Sequence, residues 1–124
     1  LCFFNKDYAF GLTIGCAIVN CFSSEIGLVD VLFGTCATLL SCLLVGICRH
    51  LCFACLIPIL VNGLVVGAEL FYFAEVPNYW VSCGFVALGE LGAMALGYLM
   101  FIFLKKRKKF FEFIKANQNL EFRY

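Results

Sequence analysis

Charge is scarce in this sequence, and so are the residues that do chemistry. Only 14% of the 124 residues are Asp, Glu, Lys or Arg, against about 25% in ordinary soluble domains. There is one histidine, His50, and no GxxxxGK[ST] string, so nothing in the chain hydrolyses ATP through a phosphate loop. No nucleophile–base pair is visible, which argues against an enzyme. The net charge of +1 points to neither an acidic nor a basic partner. The nine cysteines do not read as a disulfide framework. Most of them, Cys16, Cys36, Cys42, Cys55 and Cys83, lie inside apolar stretches, where a free thiol behaves as a small hydrophobe. Cys48, His50, Cys52 and Cys55 have the residue types of a zinc site, but their spacing matches no standard ligand pattern. No metal or other cofactor is expected. The N-terminus carries no Met, no basic n-region and no cleavage site. A chain opening Leu1-Cys2-Phe3-Phe4 reads as the continuation of a longer protein.

What the sequence does hold is apolar surface. Hydrophobic residues make up 64% of the chain and the mean hydropathy is +1.00. A soluble domain of this size buries only about two thirds of the surface its unfolded chain exposes, so the surplus must face lipid. Four apolar segments, about 8–22, 29–48, 51–74 and 80–104, are separated by short polar punctuation. A spanning helix takes roughly 17–25 residues. The last three segments meet that length, and the first is short enough to require tilt, local thinning or protein packing. The segments are rich in Leu, Ala and Gly and do not alternate strictly, which argues against strands. Pro58 is expected to kink the third helix or divide a lead-in from it. The expectation is an all-α integral membrane protein, a four-span helical bundle over residues 1–105 followed by a basic tail at 106–124.

Charge placement orients the bundle. Lys6 precedes the first segment, Arg49 and His50 join the second to the third, and Lys105-Lys106-Arg107-Lys108-Lys109 follows the fourth. Four successive crossings put these three places on one side. The opposite connections carry Glu25, Asp30 and Glu75 but no Lys or Arg, so the positive-inside rule makes them external and both chain ends cytoplasmic. After an apolar span, the basic run reads as a cytoplasmic anchor rather than a nucleic-acid patch. The tail beyond it suits a short helix on anionic headgroups.

Against this background the polar residues within the spans stand out. An ionisable group at the centre of a spanning helix costs roughly 2.5–3.5 kcal/mol on insertion scales. Glu90 lies about ten residues below the outer end of the fourth segment, close to the midplane. Asn62 and Glu69 are seven residues apart, nearly two turns, and share a face of the third. Asn20 lies near the outer end of the first segment, and Asp30 opens the second. All five occupy the outer half or the middle of the membrane, as a polar pocket opening outward requires. Interhelical hydrogen bonding is the plainer reading of Asn20 and Asp30, helix capping another for Asp30, and snorkelling to the surface one for Glu69. Glu90 has no Lys or Arg in the membrane interior to pair with, so it stays protonated or meets a cation supplied by a ligand. Gly11 and Gly15, Gly34 and Thr38, Gly63 and Gly67, and Gly89, Ala93 and Gly97 form small-residue stripes suited to close helix packing.

Several strings together resemble the QueT family. They are Gly11-Leu12-Thr13-Ile14-Gly15-Cys16 with Asn20 nearby, the run Gly27-Leu28-Val29-Asp30-Val31-Leu32-Phe33-Gly34-Thr35-Cys36-Ala37-Thr38-Leu39-Leu40, Pro58-Ile59-Leu60-Val61-Asn62-Gly63-Leu64-Val65-Val66-Gly67 and Ala87-Leu88-Gly89-Glu90. The resemblance covers roughly residues 1–105. It implies a substrate-binding (S) component of an energy-coupling-factor (ECF) importer for queuosine precursors, which are 7-deazaguanine bases. Its implied partners are the small-molecule substrate, a transmembrane coupling subunit, two ATPase subunits and the lipid bilayer. S components of this kind are six-helix proteins, so the four segments would be helices three to six. The first helix, which generally docks on the coupling subunit, and the first external loop, which usually closes over the substrate, would precede Leu1. A flat base of this type needs a carboxylate or amide on its edge and an aromatic face. Glu90 and Asn62 suit the edge, and Trp80 or Phe85 the face, although Trp80 also suits an interfacial anchor. The substrate-binding candidates are thus Glu90, Asn62, Glu69, Asn20, Asp30 and Trp80. The rival readings are an S component for another vitamin-like molecule, a small homo-oligomeric four-helix cation or drug antiporter using Glu90, and a membrane scaffold in which Glu90 only packs.

Overall fold

The computed structural model describes residues 1–23, 26–104 and 108–114. Within them the chain is helical, with no β-strand: α1 Tyr8–Ser23, α2 Leu28–Ile47, α3 Leu51–Phe73, α4 Tyr79–Leu104 and a short α5 Lys108–Phe113. Helices α2, α3 and α4, of 20, 23 and 26 residues, are long and apolar enough to cross a membrane. Helix α1 has 16 residues, about 24 Å at 1.5 Å per residue, against a hydrocarbon core of about 30 Å. Helix α3 runs unbroken through Pro58. The proline does not divide it, which corrects one of the two expectations for that residue. Glu25, residues 105–107 and residues 115–124, which carry part of the expected external loop and most of the basic tail, lie outside the described residues.

The helix ends follow from local chemistry. Gly27 precedes α2 at φ 75°, ψ −132°, a backbone region open essentially to glycine. Asp30 Oδ2 accepts the Ile26 N–H at 3.2 Å and ties that corner to the first turn of α2. Helix α3 closes with Glu75 at φ 54°, the Ala74 N–H on the Leu70 carbonyl at 3.1 Å and the Val76 N–H on the same carbonyl at 3.5 Å. This is a left-handed C-terminal cap built on a residue other than glycine. Asn78 Oδ1 accepts the Trp80 N–H at 2.9 Å and caps the start of α4.

The helices pack in chain order, α1 on α2, α2 on α3 and, most extensively, α3 on α4. The α3–α4 contact depends on small residues. A Cβ on Gly67 would lie 2.7 Å from Cys83 Sγ, 2.8 Å from its Cα and 3.0 Å from its backbone nitrogen, and one on Gly63 would lie 3.4 Å from Ala87 Cβ. The other stripes behave differently. Space is open beside Gly11, Gly15, Gly89 and Gly97, and a Cβ on Gly34 would strike the Asn20 side-chain amide. Close backbone approach through a glycine pair is therefore a property of α3, not of every helix.

One end of the bundle is closed by a hydrophobic cluster. Phe3, Phe4, Ala54 and Ile114 are buried there, with Val45, Cys48, Leu51, Phe101 and Phe110 packed around them. The Phe4 and Phe101 rings lie 4.9 Å apart, and Phe101 and Phe110 5.9 Å apart. The N-terminal segment, the α2–α3 corner and α5 thus share this end, and the α1–α2 and α3–α4 connections share the other. Between the ends, large side chains such as Phe10, Leu32, Phe53, Phe85, Leu88, Leu96 and Phe103 are exposed. In water this would be a severe liability, but it is the surface a lipid-embedded bundle presents.

The α3–α4 contact carries a direct prediction. Gly67→Ala forces a methyl group against backbone atoms of Cys83 that cannot rotate away, so it should destabilise the bundle by about 1–3 kcal/mol. Gly11→Ala meets open space and should be neutral or stabilising by up to about 1 kcal/mol. Denaturation of both variants in detergent, followed by circular dichroism, measures the difference. Equal stabilities would contradict the packing described.

Candidate functional site

Each of α1, α2, α3 and α4 contributes a stripe of side chains at helical spacing to one pocket of about 220 Å³. Cys16 and Asn20 come from α1, and Asp30, Gly34 and Thr38 from α2. Asn62, Val66 and Glu69 come from α3, and Val86 and Glu90 from α4. Steps of three and four residues hold each set on one face of its helix. Helices α1 and α3 run toward the α1–α2 connection end of the bundle while α2 and α4 run away from it. Asn20, Asp30 and Glu69 therefore form the layer nearest that end, and Asn62 and Glu90 the deepest.

Polar contacts cross every packed helix pair inside this pocket. Between α1 and α2, Asn20 Nδ2 donates to the Asp30 carbonyl at 3.0 Å, Thr38 Oγ1 to Cys16 Sγ at 3.1 Å and Cys16 Sγ to the Gly34 carbonyl at 3.5 Å. Between α2 and α3, the Asp30 and Glu69 side chains meet. Between α3 and α4, Asn62 Nδ2 donates to Glu90 Oε1 at 2.6 Å. Glu69 is 1% exposed, and its Oε1 has no hydrogen-bond partner. Burial decides between the two readings of Glu69 against snorkelling to the surface. Three carboxyl groups and two amides thus line one small space, and among the described residues no Lys or Arg lines it.

Five of the six candidate residues are brought together: Glu90, Asn62, Glu69, Asn20 and Asp30. Trp80 does not join them. It is 72% exposed and stands edge-on to Tyr79 with ring centroids 5.1 Å apart, as an interfacial anchor would. Phe85 is equally exposed, so neither offers the pocket an aromatic face. The walls between the polar layers are instead Val66 and Val86. Of the other lining residues, Cys16 and Thr38 carry side chains that hydrogen-bond across the pocket. Their signal was their spacing, since Cys16 lies one turn from Asn20 and Thr38 two turns from Asp30.

A second cavity, of about 340 Å³, lies on the other side of the Asn62–Glu90 pair. It shares Thr38, Asn62 and Glu90 with the first and is otherwise walled largely by apolar residues down to Phe4 and Phe101. The Asn62–Glu90 hydrogen bond thus stands where a polar pocket gives way to an apolar one. Among the described residues no three His, Cys, Asp or Glu side chains converge as a metal site, and Cys48, His50, Cys52 and Cys55 form no such group.

Comparison with known proteins adds one finding. The family model described as QueT transporter matches residues 1–106. No curated protein and no solved structure matches the chain.

The Asn62–Glu90 contact is measurable as a coupling. In a double-mutant cycle of Asn62→Leu and Glu90→Met, the stability changes should be non-additive by about 0.6 kcal/mol and at most about 1.7 kcal/mol, the range found for polar pairs between membrane helices. Strict additivity in detergent unfolding would mean that the two side chains do not pair.

Proposed function

The chain belongs to the QueT transporter family, and on that premise we propose that it is the substrate-binding component of an ECF-type importer for 7-deazaguanine bases, the precursors of queuosine. A multi-pass membrane protein of a transporter family has a small-molecule substrate to hold. The observation that carries the reading is the pocket of about 220 Å³ to which all four long helices contribute carboxyl and amide groups. Its volume lies below the ~300–1,000 Å³ usual for drug-sized ligands, which suits a single fused-ring base. The pyrimidine edge of such a base offers two adjacent N–H donors. A carboxylate accepts both in parallel, so Glu90 takes that edge. Asn62 holds the Glu90 carboxyl group by hydrogen bonding to Oε1 at 2.6 Å and keeps its own carbonyl oxygen for the ligand. Val66 and Val86, in place of Trp80 or Phe85, supply apolar walls for the ring faces.

The end of the bundle that carries Lys6 and Arg49 is assigned to the cytoplasm by the positive-inside rule. The layer of Asn20, Asp30 and Glu69 then faces outward, as an importer's receptor site must. The sequence has no phosphate loop, so energy would come from separate ATPases through a coupling subunit. In the antiporter alternative, Glu90 would work at an interface between copies. Its pairing with Asn62 of the same chain favours a pocket complete within one chain.

Two measurements test this reading. Purified protein should bind radiolabelled 7-deazaguanine, and Glu90→Gln or Asn62→Ala should weaken binding by roughly 10- to 100-fold, the value of about 1.5–3 kcal/mol for a hydrogen bond to a charged group. Unchanged affinity in both variants would sink the site assignment, and tighter binding of an unrelated vitamin would redirect the substrate. Orientation is tested separately with C-terminal reporters. A green fluorescent protein fusion should fluoresce and an alkaline phosphatase fusion should stay inactive, and the opposite pattern would invert the bundle.

A further inference from the structure

Two carboxyl groups meet where α2 packs on α3, and among the described residues lining that space nothing is positively charged. The Asp30 and Glu69 side chains are in contact, Glu69 is buried, and its Oε1 has no hydrogen-bond partner. The ionisable groups that line the same space from the neighbouring helices are Cys16 of α1 and Glu90 of α4, and Cys83 of α4 lies against Gly67. None of these brings a cation. Asn20 gives its amide to the Asp30 backbone carbonyl at 3.0 Å, not to either carboxyl group. Two carboxylates this close cannot both stay ionised without strong repulsion, and one proton held by the pair removes it. A proton lies inside the contact itself, so burial does not bar it. The two environments also say which group carries it. Asp30 stands in the first turn of α2, where the helix dipole favours negative charge, and its Oδ2 accepts the Ile26 N–H at 3.2 Å. Glu69 lies close to the C-terminal end of α3, where the dipole opposes a negative charge.

We propose that protonated Glu69 donates a hydrogen bond to the Asp30 carboxylate, and that this one proton latches α2 to α3 at the end of the bundle carrying the α1–α2 connection. The inference is independent of what the pocket binds. Its consequence follows from where the other polar contacts lie. Asn20, Cys16 and Thr38 join α1 to α2, and Asn62 with Glu90 joins α3 to α4. Asp30 with Glu69 is the polar side-chain contact between these two pairs. About one turn away on each helix, the Phe33 and Phe73 rings lie 5.8 Å apart and add apolar support. At the opposite end the short α2–α3 corner and the aromatic cluster hold the same two helices together. Ionisation releases the proton to water and leaves two carboxylates in contact. Their repulsion then pushes α2 from α3 at one end while the corner holds the other. The pocket draws side chains from both pairs, so it loosens along this seam as pH rises.

Infrared spectroscopy of the protein in lipid nanodiscs reads the proton directly. At neutral pH the unmodified protein should show the carbonyl stretch of a buried carboxylic acid, weakening as pH rises. Glu90→Gln should leave an acid band, and adding Glu69→Gln should remove it. No acid band in the unmodified protein, its complete loss in Glu90→Gln, or its persistence in the double variant would overturn the inference. Unfolding in detergent reads the latch. Where the native state holds a proton that the unfolded chain has released, stability falls as pH rises, and the unfolding equilibrium constant should increase by up to about tenfold per pH unit. Glu69→Gln keeps the shape and donates its amide N–H to Asp30 at every pH, so it should abolish that dependence while unfolding cooperatively. The same pH dependence in both proteins would overturn the inference. If Glu69→Gln does not fold, Asp30→Asn supplies the amide from the other side and is judged by the same comparison. The infrared result on the unmodified protein and Glu90→Gln decides the matter without either variant.

Discussion

Inside a bilayer a polar side chain has no water to fall back on, and that constraint organises this bundle. A polar group in the spans is stabilised by a partner on its own helix, as Thr13 is by the Ala9 carbonyl, on a neighbouring helix, or on a molecule that enters between them. Asn20, Cys16 and Thr38 meet this demand across α1 and α2, and Asn62 with Glu90 across α3 and α4, whereas Glu69, against Asp30 of α2, leaves its Oε1 without a partner. The contacts that join the helices are therefore the ones that line the pocket. Packing and site are built from the same side chains. The close approach of Gly63 and Gly67 to the backbone of α4 and the aromatic cluster around Phe4 and Phe101 add apolar packing to these contacts.

The helices themselves were largely legible before any coordinates. Apolar length and polar punctuation mark α2, α3 and α4, and α1 is as short as its sequence implies. The clustering of Asn20, Asp30, Asn62, Glu69 and Glu90 followed from depth along each span together with facing at helical spacing. What could not be read was rotation about each helix axis. GxxxG strings look alike in α1 and α3, yet only the α3 pair faces a neighbour at contact distance. Trp80 lies one residue from Tyr79 and near the outer end in sequence, but the rotation of α4 turns it out of the pocket. Glu69 was equally compatible with the surface and the interior, and burial decided it. Cys16 and Thr38 carry no energetic mark in the sequence, because neither is costly to bury in an apolar span.

The two cavities divide the interior into unlike halves. Toward the α1–α2 connection the lining is acidic and amide-rich, and toward the aromatic cluster it is mostly apolar. Glu90 stands at the boundary, held by one short hydrogen bond from Asn62. A ligand held at that depth keeps its polar edge on the pair while its remaining surface stays in the outer pocket. The inner cavity offers such a ligand little polar compensation below Asn62 and Glu90. In the importer reading proposed above, such a floor holds the ligand at that depth until partner subunits drive its release.

The most direct test of this account is an experimental structure of the protein with a 7-deazaguanine base bound in lipid nanodiscs. The account predicts density for one planar ring between Val66 and Val86, with its pyrimidine edge on the Glu90 carboxylate and Asn62 alongside. A ring seated in the inner apolar cavity, or on the outer surface beside Trp80, would contradict it.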